Sequence, residues 1–318
     1  MKRRSPGSAA RRNTVRGFIP AGVLAAVALV GCTGSTGGGA ANDGGPPRRD
    51  ASGGEDAAAL VDGRVPDAAT TDGQVPDATV SPSCEDAWLC DDFESYGTGT
   101  TPNGRWSALT TGGTVTVDGT KSVSGTKSVH FHVDHSASFR RAMLQIGTQG
   151  TAISATNVVW GRMQMYLTAA PTYNNGAAVH WTNIQGDGTV DGMGFRAFYR
   201  YGGMHERKMM ANYETNGVST DCAINPDYNI PVGEWACVEW RYNGPNNEMN
   251  FYVNGAAVPE LTVVEMSDYC GGNDTDHHWY APTFDIFKFG WEQYQQATND
   301  IDYWIDDVAL DDARIGCP

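Results

Sequence analysis

From Cys90 onward, apolar and polar positions alternate in short runs. "SVHFHV" places Val129, Phe131 and Val133 on one face and His130 and His132 on the other, the period-two signature of a half-buried strand. "WGRMQMYL", "FRAFYRY", "RKMMANYE", "ACVEWRYN", "EMNFYVNG", "FDIFKFGW" and "YWIDDVAL" are runs of similar length, punctuated by NG and GG pairs. No long amphipathic helical pattern interrupts them. Many short strands at this spacing predict an all-β fold, an antiparallel sandwich or jelly roll.

The pattern ahead of these strands is different. "MKRRSPGSAARRNTVR" carries basic residues and no acidic ones, and the apolar run "GFIPAGVLAAVALVGC" follows it. A charged segment, a short apolar segment and small residues before a cut describe a signal peptide, here residues 1–31. "LVGC" fits a bacterial lipobox, with Leu29, Gly31 and then Cys32 as the lipid acceptor. The apolar run is too short for a comfortable membrane span. Residues 32–83 then read as a tether: small, polar and Gly-rich, with "DGRVPDAAT" returning as "DGQVPDATV". Such a segment buries too little apolar surface to offset its chain entropy and is expected to be disordered. The expectation is an exported protein, held to a membrane through a lipid on Cys32, with one domain over residues 84–318.

Charge narrows the partners. The chain carries a net −15, and the first 31 residues hold six basic residues and no acidic one, so their removal leaves −21. Nucleic acid wants a basic face and is excluded as a partner. With Cys32 assigned to lipid, Cys84, Cys90, Cys222, Cys237, Cys270 and Cys317 remain, an even set that implies disulfides in an exported domain. Cys84 and Cys90 are expected to pair with each other or with Cys317, leaving a second cluster of Cys222, Cys237 and Cys270. The CxxC spacing of a zinc site is absent.

The domain opens with "CDDFES", runs through "SVSGTKSVHF" and "GEWACVEWRYNGPNNEMNFYVNG", and closes with "WIDDVAL". This succession resembles the concanavalin A-like jelly rolls. More narrowly, it resembles the polysaccharide lyase-like group that includes the fungal cellulose-induced secreted proteins. The resemblance spans nearly all of residues 88–318. It implies two antiparallel sheets, a monomer that engages polysaccharide, and a structural calcium. The implied calcium ligands are Glu94, the Ser124–Gly125 turn, and Asp306 or Asp307. Carboxylates and turn carbonyls are the hard oxygen donors that calcium takes. By alternation, Asp306 shares a face with Val308 and Leu310, and Asp307 shares one with Ile305 and Ala309.

The resemblance also implies a chemistry. A polysaccharide lyase removes the proton beside a uronate carboxyl group and expels the glycosidic oxygen. It needs a group that neutralises the carboxylate, a base and an acid. The middle strands hold such residues. Arg162, Arg196 and Gln185 are assigned to neutralisation, His180 to the base, and Tyr199 or Tyr294 to the acid. "FKFGWEQYQ" is similar to the late strand of alginate-type lyases, "YFKxGxYxQ". It differs in placing Glu292 where that pattern has tyrosine and Tyr294 where it has glutamine.

Other readings compete. A non-catalytic sugar-binding module would use Trp181 and Trp291 as stacking platforms beside Asn183, and an envelope adhesion protein fits the tether equally well. A glycoside hydrolase would need paired carboxylates across a cleft, and the ExDxxE pattern of laminarinase-type enzymes is missing. His130, His132 and Asp134 alternate onto one face, a spacing a transition metal can use, although a solvated outer face is the plainer reading. "DTDHHWY" reads as a polar loop carrying His277 and His278. "HWTNIQ" is the most chemically loaded strand. Alternation places His180 and Thr182 on one face and Trp181, Asn183 and Gln185 on the other, so His180 and Gln185 share a cleft only if a bulge intervenes.

Overall fold

The computed structural model describes residues 87–147, 153–172, 178–204, 206–216, 220–267, 269–272 and 277–318. The expected signal peptide, Cys32, the tether and Cys84 lie outside the described residues. The rest is a sandwich of two antiparallel sheets, as the alternation predicts. The first sheet contains β1 (Leu89–Asp91), β3 (Gly113–Asp118), β4 (Ser128–Val133), β6 (Val158–Leu167), β11 (Trp235–Asn243), β12 (Glu248–Val253), β13 (Ala256–Ala257), β14 (Val263–Val264) and β17 (Ile301–Asp311). Its main path runs β13-β12-β11-β6-β17-β4-β3, with β1 paired to β17 and β14 to β12. The second sheet contains β2 (Ser107–Thr111), β5 (Arg140–Gly147), β7 (Trp181–Thr189), β8 (Arg196–Gly203), β9 (Met209–Thr215), β10 (Thr220–Ile224), β15 (Tyr269–Gly272) and β16 (Thr283–Gln293). Its order is β15-β10-β9-β8-β7-β16-β5-β2. Two short 3-10 turns, Gly244–Asn246 and Pro259–Leu261, are the helical elements among the described residues.

The inner faces supply an aromatic core, as the alternation requires. Tyr199 and Tyr201 of the second sheet meet Tyr242 and Phe251 of the first, with ring centroids at 5.8 Å for Tyr199–Tyr242 and 4.6 Å for Tyr201–Phe251. Trp240 packs against Phe289 at 5.5 Å in the same way. Gly161 is required opposite Trp240, because a Cβ there would lie 2.0 Å from the indole ring. Fully burying each large side chain contributes about 1.5–3 kcal/mol, so a core of this composition dominates the stability.

Register shifts break the alternation at the functional positions, in β16 ahead of Glu292 and as bulges in β7 and β17. In β7, Thr182 pairs with Gly202 and Ile184 with Tyr201, so Asn183 is an extra residue relative to β8. In β17, Asp306 pairs with Gln164 and Ala309 with Arg162, so β17 carries one extra residue there, and Asp307 takes φ +48°. This corrects the alternation of the two acids. Tyr303, Ile305, Val308 and Leu310 all enter the core, and the bulge lets the adjacent Asp306 and Asp307 stay out of it.

The disulfide expectation is met in part. Cys222 pairs with Cys270, joining β10 to β15. Cys237, however, pairs with Cys317, which ties the C-terminal tail to β11. Cys90 is disulfide-bonded as well.

Candidate active site

The outer face of the second sheet carries a cavity of about 620 Å³. His180, Thr182 and Arg200 form one side, Asn212, Glu214 and Asp221 another, and Tyr269, Tyr294 and Gln295 a third. The bulge at Asn183 builds this face. Trp181 and Ile184 both turn into the core across it, so Thr182 and Gln185 both turn out. His180 and Gln185 therefore reach the same side of the sheet.

Arg200 is the centre of the cleft floor. It is 9% exposed, and its guanidinium donates from Nε to Gln185 Oε1 at 2.8 Å and from NH1 to Asn212 Oδ1 at 3.4 Å. The same NH1 pairs with Glu214. Gln185 and Asn212 are held in turn, through Asp187 at 3.2 Å and Asp221 at 2.7 Å. Burial pulls the Arg200 pKa down, but Tyr294, Glu214 and Glu292 more than offset it, and the net shift is upward. The cation is thus fixed and permanently charged.

Tyr294 faces the same cavity and donates its hydroxyl to Glu292 Oε1 at 2.5 Å. Burial holds its phenol well above the usual tyrosine range; Arg200 opposes this and Glu292 reinforces it. His180 is tied to the same turn by its backbone. Its N–H donates to Gln295 Oε1 at 2.6 Å, and its carbonyl accepts from the Tyr294 N–H at 3.0 Å. The departure from the alginate-type pattern therefore puts a tyrosine and a carboxylate in contact, with the tyrosine at the cavity.

Of the residues assigned from sequence, His180, Gln185 and Tyr294 come together here. Arg196 lies on the same face, four residues from Arg200, where Asp285 takes its guanidinium at 2.7 and 3.2 Å. The others lie elsewhere. Arg162 sits in β6 of the opposite sheet, facing away from the sandwich, with NH1 donating to the Gly316 carbonyl at 3.3 Å. Tyr199 points into the core against Tyr213, Tyr242, Trp279 and Phe284. Trp181 and Trp291 offer no platform: both are fully buried and stack on one another at 4.6 Å. Asn183, the bulge residue, is also fully buried. The sequence analysis left Arg200, Asn212, Glu214 and Glu292 unassigned. Alternation in "RKMMANYE" was the available signal for two of them, since Ala211 and Tyr213 go to the core and Asn212 and Glu214 to the cleft.

The implied calcium ligands form a second cluster, on the first sheet. Asp306 Oδ2 accepts from the N–H groups of Val123 at 2.9 Å and Ser124 at 3.4 Å, and Ser124 Oγ donates to Asp307 Oδ1 at 2.6 Å. Glu94 Oε1 accepts from the N–H groups of Thr126 and Lys127, each at 2.6 Å. At Gly125, with φ +55°, a Cβ would lie 2.5 Å from the Glu94 carboxyl group, so only glycine leaves this approach open. Burial, with Asp307 adding to it, pushes Asp306 up to about 7. Asp306, Asp307 and Ser124 offer hard oxygens of the kind calcium takes at one end of this turn, and Glu94 holds its other end, while the three carboxylates do not converge on one point.

Comparison with known proteins gives the fold an independent footing. The chain matches "Cellulose induced protein, Cip1" with a TM-score of 0.53 at 22% identity, covering 72% of this chain and 100% of that one. The endo-beta-1,4-glucuronan lyase from the fungus Trichoderma reesei aligns at 12% identity, covering 68% of this chain and 94% of that one, with a TM-score of 0.42. Alginate lyase AlyC3 aligns at 10% identity over 58% of this chain and 74% of its own, with a TM-score of 0.38. No curated protein matches the sequence. A family profile described as polysaccharide lyase-like, Cip1-like core domain, matches residues 66–313. The chain belongs to this Cip1-like, polysaccharide lyase-like family.

Proposed function

We propose that the cleft binds a uronate-containing polysaccharide and cleaves it by β-elimination. The observation that carries this reading is Arg200, a buried, fixed cation on the floor of a cleft that also holds a histidine and a protonated tyrosine. A uronate carboxylate placed on Arg200 would be neutralised by its guanidinium, which Asn212 and Gln185 hold in place. That would acidify the neighbouring carbon-bound proton. His180 would take the proton as base. Tyr294, kept protonated by its burial, would give its proton to the leaving glycosidic oxygen. Glu292 orients the tyrosine hydroxyl through their hydrogen bond.

A second reading has its own observation. Arg200 is already paired with Glu214, and Asp221 also lines the cavity. An acidic lining favours a neutral glycan, bound without chemistry. The two readings separate on a panel of uronate polysaccharides, read by the ultraviolet absorbance of the unsaturated product. A rise on one substrate supports the lyase. A flat trace with retention on a glycan affinity gel replaces it with the binding module.

Calcium at Glu94, Ser124, Asp306 and Asp307 would be structural, linking the 123–127 turn to β17. The lipobox at Cys32 and the polar tether support a location at the bacterial envelope, with the cleft held off the membrane.

A further inference from the structure

The outer face of the first sheet carries a group of side chains that the cleft does not use. His130 and His132 project from it on alternate positions of β4, and Asp302 projects beside them from β17, directly opposite His132 in the strand register. His130 Nε2 lies 2.8 Å from Asp302 Oδ1, and His132 Nδ1 lies 2.9 Å from the same oxygen. Among the described residues this is the group of His, Cys, Asp and Glu whose ligand atoms converge, all within 4.8 Å of one another. The third residue is not the one that alternation suggests: Asp134 turns to Arg140 at 2.9 Å instead.

We propose that His130, His132 and Asp302 bind one borderline divalent transition ion of the zinc class. Three features beyond proximity point this way. The donor set is right, because two imidazoles and one carboxylate suit zinc or copper and are too nitrogen-rich for calcium. The spacing is close to what is required. Bonds of about 2.0–2.1 Å to a tetrahedral ion place ligand atoms roughly 3.3 Å apart, so the two histidine–aspartate separations need to open by only a few tenths of an ångström, and the two imidazole nitrogens already lie within 4.8 Å of each other. The third feature is the surroundings of His130. Its ring stacks on Trp304 at 4.1 Å and 7°, which fixes its plane. Its other nitrogen, Nδ1, faces Asp118 Oδ2 at 3.8 Å. Asp118 is itself anchored by Trp304 Nε1 at 3.0 Å.

An ion on Nε2 leaves the ring proton on Nδ1, on the side of Asp118 3.8 Å away, and closing that gap to hydrogen-bond length gives the carboxylate–histidine–metal relation that orients ligands in metal sites. Side-chain exposures of 23% for His130 and 36% for His132 and Asp302 leave the ion a path from solvent and room for water in the remaining position. The ion would cross-link β4 to β17. The proposal is independent of what the cleft does.

The test uses the untagged, metal-stripped full chain in excess calcium, titrated with Zn2+ alone by calorimetry. The expected result is one equivalent bound, with affinity reduced at least tenfold in His132→Asn and in Asp302→Asn and unchanged in His135→Asn. His135 is the control because it lies nearby but pairs with Asp300 at 2.6 Å. Zn2+ binding that is absent in the wild type, or unchanged in both site variants, overturns the proposal. If the variants do not fold, Cu2+ bound to the wild type decides by electron paramagnetic resonance. Coupling to two imidazole nitrogens is expected, and coupling to fewer overturns it.

Discussion

Gln185 Oε1 accepts the Nε hydrogen of Arg200 at 2.8 Å, from the neighbouring strand β7. The contact exists because Asn183 is an extra residue in that strand, which turns Gln185 to the same side as Thr182. Gln185 is 2% exposed and also reaches Asp187, so it positions the guanidinium while remaining beneath it. Gln185→Ala removes this constraint and leaves the charge in place. It is expected to lower kcat by about tenfold to a hundredfold with a smaller change in KM, as loosened positioning does. Steady-state kinetics on whichever uronate polysaccharide the proposed lyase activity acts on check this.

Trp181 and Trp291 separate a structural role from a binding role. Both are fully buried and stacked on each other. Trp291→Ala should cost about 3–5 kcal/mol of stability through the cavity it leaves. The folded fraction should bind glycan as the wild type does. Denaturant unfolding and an affinity gel measure the two effects on the same samples.

Alkaline pH should unfold the protein. Burial raises the pKa of Tyr199, Tyr201, Tyr242, Tyr294 and Tyr303 above the ordinary tyrosine value. Each then contributes stability that is fully present below its unfolded pKa of about 10 and is lost as pH rises past it toward the folded value. The midpoint of thermal unfolding should fall steeply above about pH 10. The phenolate absorbance of these tyrosines should appear together with unfolding and not before it.

Calcium should stabilise the protein through Asp306. Chelation is expected to lower Tm by several degrees, since an ion at about a hundred times its Kd contributes roughly 2.7 kcal/mol. Asp306→Asn should abolish the difference between calcium-loaded and chelated samples. Identical melting curves with and without calcium in the wild type would remove the ion from this turn.

The sandwich was legible because its strands alternate cleanly. Val129, Phe131 and Val133 are core positions, as the period demands. The site was legible only in part, and the cause is local. Bulges at Asn183 and at Asp307 shift the phase of β7 and β17, and alternation carries no mark of an inserted residue. His180 and Gln185 fell on opposite faces for that reason, and so did Asp306 and Asp307. Arg162 was misplaced by a different ambiguity. A strand with polar residues on one face does not reveal to which sheet it belongs, and β6 belongs to the sheet away from the cleft. Trp181 and Trp291 could stack on sugar or on each other, and only the packing distinguishes these.

The most direct test of the account is the product absorbance of wild type and Arg200→Lys, side by side, across a panel of uronate polysaccharides, where the proposed lyase activity predicts a rise on one substrate for the wild type. Lysine keeps a positive charge but loses the planar fork that meets Gln185, Asn212 and Glu214 together. The account predicts that Arg200→Lys folds, as shown by a wild-type circular dichroism spectrum and a cooperative if lower melting transition, and loses about a hundredfold or more in kcat/KM. Cleavage at the wild-type rate by a folded Arg200→Lys would contradict it and place the reacting carboxylate elsewhere on the molecule.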